Sequence, residues 1–194
     1  MKKQTLTLLD TVERLGNLLR AGLRQAGATQ GLQPIHLQAL IYLSEANRYS
    51  NTPQALAEYL GLTKGTVSQS LLLLARRKLI ARHADEKDGR VVRLSLTDKG
   101  KDTLKELGLS NTWRDALQTA SPARLSSATK VLKEALANLQ SKNGHRTFGV
   151  CVTCRHNLHI GPRSYVCGLT KEKLTSREVS KICREHSLPE ESTN

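Results

Sequence analysis

The sequence predicts a mainly α-helical fold in which long helices flank a helix-turn-helix and a β-hairpin, followed by a small cysteine-rich module. Three observations predict it. Apolar residues recur at helical spacing before Asn47 and again after Thr97. Residues 50–100 carry helix, turn and strand signals in succession. All four cysteines follow residue 150. We therefore divide the chain into residues 1–141 and residues 142–194.

Two helices are expected before the central motif. The first spans residues 5 to about 26, where apolar residues repeat every three or four positions: Leu8, Val12, Leu15, Leu19 and Leu23. Gly27, Gly31 and Pro34 then mark a break. The second helix runs from Pro34 to about Arg48. Its apolar positions are Leu37, Leu40, Ile41 and Leu43.

A helix-turn-helix follows. Thr52 is a suitable N-cap, and Pro53 suits the first turn of a helix over residues 53–60. Gly61 permits the positive φ of a tight turn, and a second helix runs from Lys64 to about Lys78. The apolar residues expected to be buried are Leu56, Leu60, Leu62, Val67 and Leu71. Short polar side chains and one cation then face outward near the start of the second helix, namely Lys64, Thr66, Ser68 and Gln69.

A β-hairpin comes next. Residues 80–83 predict a short strand, and the alternating residues 91–96 predict the return strand. Asp88-Gly89 is a turn dipeptide. The connecting loop exposes Lys87 and Arg90 at its tip. A basic hairpin tip beside a polar helix can enter the minor groove of DNA while the helix reads the major groove.

These residues resemble the winged-helix regulators of the multiple-antibiotic-resistance regulator (MarR) family. Residues 85–90, Asp-Glu-Lys-Asp-Gly-Arg, resemble its Asp-x-Arg-Asp-x-Arg wing signature, and residues 96–100 match its Leu-Thr-x-x-Gly. Lys87 replaces the first arginine, which keeps the charge but loses the bidentate geometry. The resemblance covers residues 1 to about 141. It implies a homodimer that binds a palindromic operator.

We therefore predict a sequence-specific, DNA-binding transcriptional regulator whose partner is double-stranded DNA. We expect it to act as a repressor. A small-molecule or redox effector is compatible with this role. The alternative is a nucleic-acid-associated scaffold that binds DNA without sequence preference and uses its cysteine tail to bind a protein. The predicted DNA-binding residues are Thr63, Lys64, Gly65, Thr66, Ser68, Gln69, Lys87, Arg90 and Arg93.

Two further helices are expected after the hairpin. One spans Thr97 to about Leu109, and the other begins at Ser121-Pro122 and ends near residue 141. Together with the first helix, they have more apolar surface than one small core can absorb. The excess favours pairing with a second copy, and the alternative is one larger monomeric bundle.

Composition agrees with a polyanionic partner. The chain has 30 Lys and Arg against 17 Asp and Glu, for a net charge of +13. No apolar run has the length of a membrane span, and the N-terminal residues lack a signal-peptide core, so we expect a cytoplasmic protein. With no constellation of catalytic residues in the sequence, we predict that it is not an enzyme.

The cysteine tail predicts a metal site formed by Cys151, Cys154, Cys167 and Cys183. The C-x2-C pair can place two sulfurs on one ion. Residues 175–178, Thr-Ser-Arg-Glu, form a capping-box pattern that is expected to set Cys183 on a short helix. The tail has few apolar residues, and a segment of this size usually needs a staple such as a metal.

Four thiols in one segment are also compatible with other uses. A reducing cytoplasm disfavours permanent disulfides, and a redox-switching dithiol or unrelated free thiols remain alternatives. Zinc is the first choice of metal because it is the commonest, and an iron–sulfur cluster also takes four thiolates. His156, His159 and His186 could substitute as ligands, although a four-thiolate site needs none of them.

Overall fold

The computed structural model describes residues 3–107, 115–142 and 146–188. The first part is a winged helix-turn-helix between longer helices, and the second is a small mixed module. The elements of the first part are α1 (Lys3–Ala28), α2 (Pro34–Glu45), α3 (Pro53–Leu60), α4 (Lys64–Arg76), β1 (Ile80–Ala84), β2 (Val92–Leu96), α5 (Asp98–Glu106) and α6 (Pro122–Lys142). Those of the tail are β3 (Gly149–Val150), β4 (Asn157–Gly161), β5 (Ser164–Cys167), β6 (Lys173–Leu174), α7 (Ser176–Val179) and β7 (Ile182–Cys183).

One apolar core supports the first part. It is formed by leucines of α2, α3 and α4 together with residues of the hairpin, and its fully enclosed members include Leu37, Leu40 and Leu74. Each such side chain contributes about 1.5–3 kcal/mol by leaving water. The core fixes the angle between α3 and α4 and thereby the direction in which α4 points.

The helix-turn-helix has the cap at Thr52 and the turn at Gly61 that the sequence predicts, and a further cap at Thr63. The Thr52 hydroxyl accepts a hydrogen bond from the Ala55 N–H at 3.2 Å, and Gly61 ends α3 with φ of 64°. The Thr63 hydroxyl caps α4 by accepting from the Thr66 N–H at 3.2 Å. One expectation is wrong: Leu62 is 37% exposed, because it lies in the turn between the helices rather than on their buried side.

The wing is a two-stranded antiparallel sheet in which Ile80 pairs with Leu96 and Ala84 pairs with Val92. The Leu-Thr-x-x-Gly motif joins it to α5. The Thr97 hydroxyl caps α5, and a Cβ on Gly100 would lie 2.1 Å from the carbonyl oxygen of Leu79. The glycine therefore allows α5 to pack directly on the backbone that precedes β1.

The long helices present their apolar residues to solvent in the single chain. No residue of α6 is buried, and α1 buries only Leu23 and Gly27. The exposed apolar residues of the two helices are Leu6, Leu8, Leu9, Val12, Leu15, Leu18, Leu19, Val131, Leu132, Leu136 and Leu139. The predicted end of α5 near Leu109 falls outside the described residues. Among the helices of the described ranges, none is long and apolar enough to cross a membrane.

The tail is built from short strands. β4, β5 and β6 form an antiparallel sheet, and β3 pairs with β7 so that Gly149 lies opposite Cys183. The capping box is present, with the Thr175 hydroxyl and the Glu178 carboxylate each accepting from the other's N–H. The helix that it starts ends at Val179, so the expectation that Cys183 lies on this helix is wrong.

A second expectation about helix length is also wrong. α2 was expected to reach Arg48, but it ends at Glu45, and Ala46 has an extended backbone. The reason is a contact with the tail. Ala46 forms a parallel bridge with Ile182, and the Asn47 N–H donates to the Ile182 carbonyl at 2.9 Å. The chain leaves the helix early because it pairs with β7.

Candidate nucleic-acid interface and four-cysteine site

The first turns of α4 face outward. Residues 63–66, 68 and 69 are exposed, whereas Val67 between them is buried in the core. Within the described part of the chain, the side chains of Lys64, Ser68 and Gln69 make no hydrogen bond or ion pair. They are therefore available to a ligand. Gly65 adds no side chain, which leaves the backbone of the first turn open to close approach.

The two threonines of this tip differ from their neighbours. Thr63 uses its hydroxyl as the cap of α4, and the hydroxyls of Thr63 and Thr66 lie 2.9 Å apart. Both hydroxyls are exposed and keep free hydrogen-bonding capacity. They fix the geometry of the helix start while remaining accessible.

Asp85 organises the wing loop. Its carboxylate accepts from the N–H groups of Lys87 and Asp88 at 2.9 and 3.0 Å and from the Arg93 guanidinium at 2.6 Å. These hydrogen bonds, with that of Arg93 the largest influence, lower the pKa of Asp85 to about 2. The loop thus wraps around one ionised carboxylate, which sets the direction of the basic tip.

The three basic residues of the wing that the sequence singles out have different surroundings. Arg90 is the most exposed and pairs with Asp88 at 2.9 Å. Such a solvent-exposed pair contributes little to stability, so a phosphate can displace it. Lys87 contacts Glu172 of the tail. Arg93 points inward: besides Asp85, it donates to the Arg48 carbonyl and to Asn51. A DNA contact by Arg93 remains a prediction, and its observed contacts brace the wing.

An outward polar helix tip beside a basic hairpin, both held on one core, defines the winged helix-turn-helix class of nucleic-acid-binding folds. Comparisons with known proteins define it further. Residues 30–91 match the sequence profile of the MarR family. This segment contains α2, α3, α4 and most of the wing. The similarity to the MarR family thus covers the helix-turn-helix together with the first strand and the loop of the wing.

Solved structures agree. The transcriptional regulator PA3341 is 26% identical, with 70% of this chain and 97% of that chain covered and a TM-score of 0.59. A MarR-family regulator from Silicibacter pomeroyi is 23% identical, with 66% and 87% covered and a TM-score of 0.59. CouR from Rhodococcus jostii RHA1, solved with p-coumaroyl-CoA, is 16% identical, with 64% and 88% covered and a TM-score of 0.56. No curated protein matches the sequence.

The four cysteines come together in the tail. All four thiols are free and line one small cavity of about 50 Å³, although they are up to 32 positions apart in sequence. Cys151 and Cys183 are buried, and Cys154 and Cys167 are partly exposed. Tyr49 of the winged-helix part also lines this cavity.

Short backbone contacts bring each thiol there. A 3-10 turn carries the first pair, with the Cys154 N–H donating to the Cys151 carbonyl at 3.0 Å. The Cys151 N–H donates to the Lys181 carbonyl, and this hydrogen bond places Cys151 beside β7 and Cys183. Cys167 ends β5, opposite Asn157 on β4. The C-x2-C turn and two strand ends therefore line the same cavity.

The two buried thiols, those of Cys151 and Cys183, are costly to ionise in this position. Burial raises the pKa of Cys151 to about 12, and the three other thiols add to the effect. Burial also raises the pKa of Cys183, opposed by a hydrogen bond with the Asn47 side chain. A bound metal cation would favour the thiolates, because it neutralises several sulfurs at once.

Four thiols are a donor set that suits a thiolate-bound metal, but the cysteine side chains lie too far apart around the cavity to bind a single ion as they stand. Within the described residues, no three Cys, His, Asp or Glu groups are close enough to hold a single metal ion. A zinc ion, with Zn–S bonds of about 2.3 Å, would require the side chains around the cavity to draw together. A cluster would hold the sulfurs further apart, because each binds a different iron atom.

The predicted substitute ligands differ in position. His156 lines the cavity. His159 stacks on Tyr165, with ring centroids 5.0 Å apart. His186 is buried, and its Nε2 lies 3.0 Å from the Thr153 hydroxyl. A Cβ on Gly149 would lie 2.6 Å from the His186 ring, so this glycine lets the ring pack directly against the backbone of β3.

Sequence reasoning missed the residues that join the tail to the winged-helix part. Arg184 donates two hydrogen bonds to the Glu58 carboxylate, at 2.6 and 2.8 Å. The Tyr49 hydroxyl donates to Glu172 at 2.6 Å. Each pair is separated by more than 120 residues, so no local pattern could have revealed it. Phe148 of the tail packs edge-on against Tyr59 of α3. An aromatic residue in this sparsely apolar segment is a sequence signal that the tail packs against another part of the chain.

Proposed function

We propose that this protein is a sequence-specific, DNA-binding transcriptional regulator, most simply a repressor, that acts as a homodimer in the cytoplasm. The observation that carries the proposal is the exposed set of polar side chains on the first turns of α4, next to a basic wing. Three of them, Lys64, Ser68 and Gln69, make no hydrogen bond or ion pair within the described part of the chain. Short hydrogen-bonding side chains in such a position suit base edges in the major groove. The role proposed is binding, not catalysis.

The second copy is proposed from the long helices. Eleven large apolar side chains of α1 and α6 are exposed in the single chain. A second copy related by a twofold axis would cover them and place two α4 helices on the same face of a duplex. The matching DNA would have two half-sites about 10 bp apart, in opposite orientation.

The basic residues are proposed to supply affinity, and the polar ones selectivity. Arg90, exposed and held only by Asp88, would bind a phosphate in or beside the minor groove. Lys64 and Gln69 would contact bases or the adjacent phosphates. Since CouR was solved with p-coumaroyl-CoA, a small-molecule effector is also part of the proposal for this chain.

The four cysteines are proposed to bind a metal, either one zinc ion or an iron–sulfur cluster. Their convergence on one cavity beside a small, sparsely packed module supports this. Cys151, Cys154, Cys167 and Cys183 would be the ligands, and the bound group would supply structural support and a means of sensing metal or redox state. The contacts of the tail run to the α2–α3 loop and the wing, and a sensing role would act there.

The DNA-binding proposal is tested by selecting binding sites from random duplexes and measuring competition against unselected DNA. We expect a palindromic sequence that binds at least about a thousandfold more tightly than random DNA. Gln69→Ala should reduce the preference for the selected sequence and leave binding to random DNA nearly unchanged. Equal affinity for both DNAs would contradict the proposal and favour a non-specific scaffold.

The wing is tested separately with Arg90→Ala. Loss of one phosphate contact from each protomer of the dimer should weaken binding at least several-fold and reduce the slope of log affinity against log salt concentration by about 2. Arg155→Ala, on the tail, is the matched control and should leave the slope unchanged. An unaltered slope in the Arg90 variant would exclude this role for the wing.

A further inference from the structure

The tail contacts the winged-helix part on the α2–α3 loop, residues 46–52, which also supports the wing. On the wing side, Asn51 and Leu94 exchange hydrogen bonds, and Arg93 donates to the Arg48 carbonyl. On the tail side, Asn47 contacts Ile182 and Cys183. The loop therefore lies between the wing and the cysteine cavity.

Cys183 and its neighbour hold the first half of this contact. The Arg184 N–H donates to the Ser50 hydroxyl at 2.7 Å, and this hydroxyl donates to Asn47 at 2.8 Å. Asn47 and Ser50 are both almost fully buried. Such a buried, satisfied polar network has one arrangement of lowest free energy, so it fixes the loop relative to β7.

Cys167 holds the second half. The loop that follows it turns back at Lys171, with φ of 60°. The Lys171 N–H donates to the Cys167 carbonyl at 2.7 Å, and the Cys167 N–H donates to the Glu172 carbonyl at 2.9 Å. The position of Glu172 is therefore tied to the backbone of a predicted metal ligand.

Glu172 in turn reaches the wing. Its carboxylate accepts from the Tyr49 hydroxyl at 2.6 Å, lies 3.4 Å from Arg48 and pairs with Lys87 at the wing tip. Lys87 is the residue at the first arginine position of the wing signature. When the Glu172 carboxylate pairs with Lys87, the lysine is less available to bind a DNA phosphate. The carboxylate also adds a negative charge beside the expected path of DNA.

From these contacts we propose that metal loading of the four-cysteine site controls DNA binding by holding Glu172 against Lys87. This inference rests on the proposed DNA-binding function. In the loaded state, the Cys167 loop is fixed and Glu172 restrains the wing tip. When the metal leaves, the loop loosens, Lys87 is released and the protein binds DNA more tightly.

The test uses the full-length protein purified with its metal, and the same protein after metal removal with a chelator and a reductant. Hydrogen exchange of residues 85–91 reports the wing without DNA, and anisotropy with the selected duplex reports affinity. In the wild type, metal removal should speed wing exchange and tighten DNA binding about two- to thirtyfold, the range of two exposed ion pairs, one in each protomer of the proposed dimer.

Glu172→Gln keeps an acceptor for Tyr49 but removes the charge. We expect the loaded variant to bind DNA as tightly as the metal-free wild type and to show no further change in wing exchange on metal removal. Glu134→Gln, the same charge change on α6, should behave as the wild type does. A wild-type wing whose exchange is insensitive to metal would overturn the inference, as would an E172Q variant that responds like the wild type.

The two proposals fail in different ways. If wing exchange responds to metal and no duplex is bound selectively, the link between the sites stands and the DNA-binding function is wrong. If selective DNA binding is found and neither affinity nor wing exchange depends on metal, the function stands and the link is wrong.

Discussion

The two parts of this chain are held together by different forces. The winged-helix part has a continuous core of 17 buried apolar residues, drawn from α1 through β2. Among the described residues of the tail, the buried apolar side chains are Cys151, Leu174, Val179 and Cys183. Short strands, ion pairs and hydrogen bonds to the winged-helix part make up the remainder. The first part can fold by apolar burial, whereas the second needs additional support.

This difference explains where function can be regulated. A packed core has a single arrangement and keeps α4 and the wing in fixed relation. A sparsely packed module changes its order when one support is added or removed. The contrast predicts effects of different size in the two parts.

The largest effect is expected in the winged-helix core. Leu74 on α4 is fully buried, and Leu74→Ala should lower the free energy of unfolding by about 3 kcal/mol through lost burial and a residual cavity. Leu72→Ala on the same helix is the control, because Leu72 is 39% exposed. Its cost should stay below about 1 kcal/mol in denaturant titrations. Equal losses in the two variants would show that this core does not carry the stability.

The next effect separates the tail from the core. Removal of the metal, or Cys151→Ser, should increase hydrogen exchange in β3 to β7 by more than about tenfold, because metal binding and folding of such a module are coupled. Exchange in α2 to α4 should remain slow. Val152→Ser, at a 57% exposed position between two of the cysteines, is the control and should change neither region. Uniformly slow exchange in the metal-free tail would contradict the contrast drawn here.

A smaller effect is expected where the two parts meet. Arg184 and Glu58 form a bidentate pair whose side chains are 20% and 31% exposed. A double-mutant cycle with Arg184→Gln and Glu58→Gln should give a coupling energy of about 1 kcal/mol, which solvent screening keeps below that of a buried pair. The readout is the free energy of unfolding of the metal-loaded protein. A coupling energy of zero would mean that this pair does not hold the tail in place.

The smallest effect concerns the pH dependence of the wing. The pKa of Asp85 falls from 3.8 to about 2 through its hydrogen bonds, first that from Arg93. A lowered pKa gives a contribution to stability that is present above about pH 4 and is lost as pH falls towards 2. The stability difference between wild type and Asp85→Asn should therefore be constant above pH 4 and shrink below it. A difference that grows on acidification would contradict this role of Asp85.

The local features of the fold could be predicted from the sequence. The cap at Thr52, the turn at Gly61 and the hairpin depend on residues within a few positions of one another, and each was confirmed. The polar tip of α4 followed from the same periodicity, since Val67 faces the core and its neighbours do not. Such features need no knowledge of the rest of the chain.

The errors arose where distant segments meet. α2 ends three residues before its expected end because Ala46 and Asn47 pair with Ile182. Cys183 lies on a strand for the same reason, since β7 pairs with β3. The contacts that link Cys167 through Glu172 to Lys87 could likewise not be predicted from the sequence, because Lys87 is far from the other two residues along the chain. Convergence of the four cysteines was expected from their spacing, and their metal remains a prediction.

Whether the four cysteines bind a metal can be measured directly by elemental analysis and thiol titration of protein purified without oxygen. We predict one zinc ion for each chain, or iron and sulfide in equal amounts if the site holds a cluster, with the four thiols protected from reagent until the metal is removed. Protein that contains no metal and has four freely reactive thiols would contradict the account.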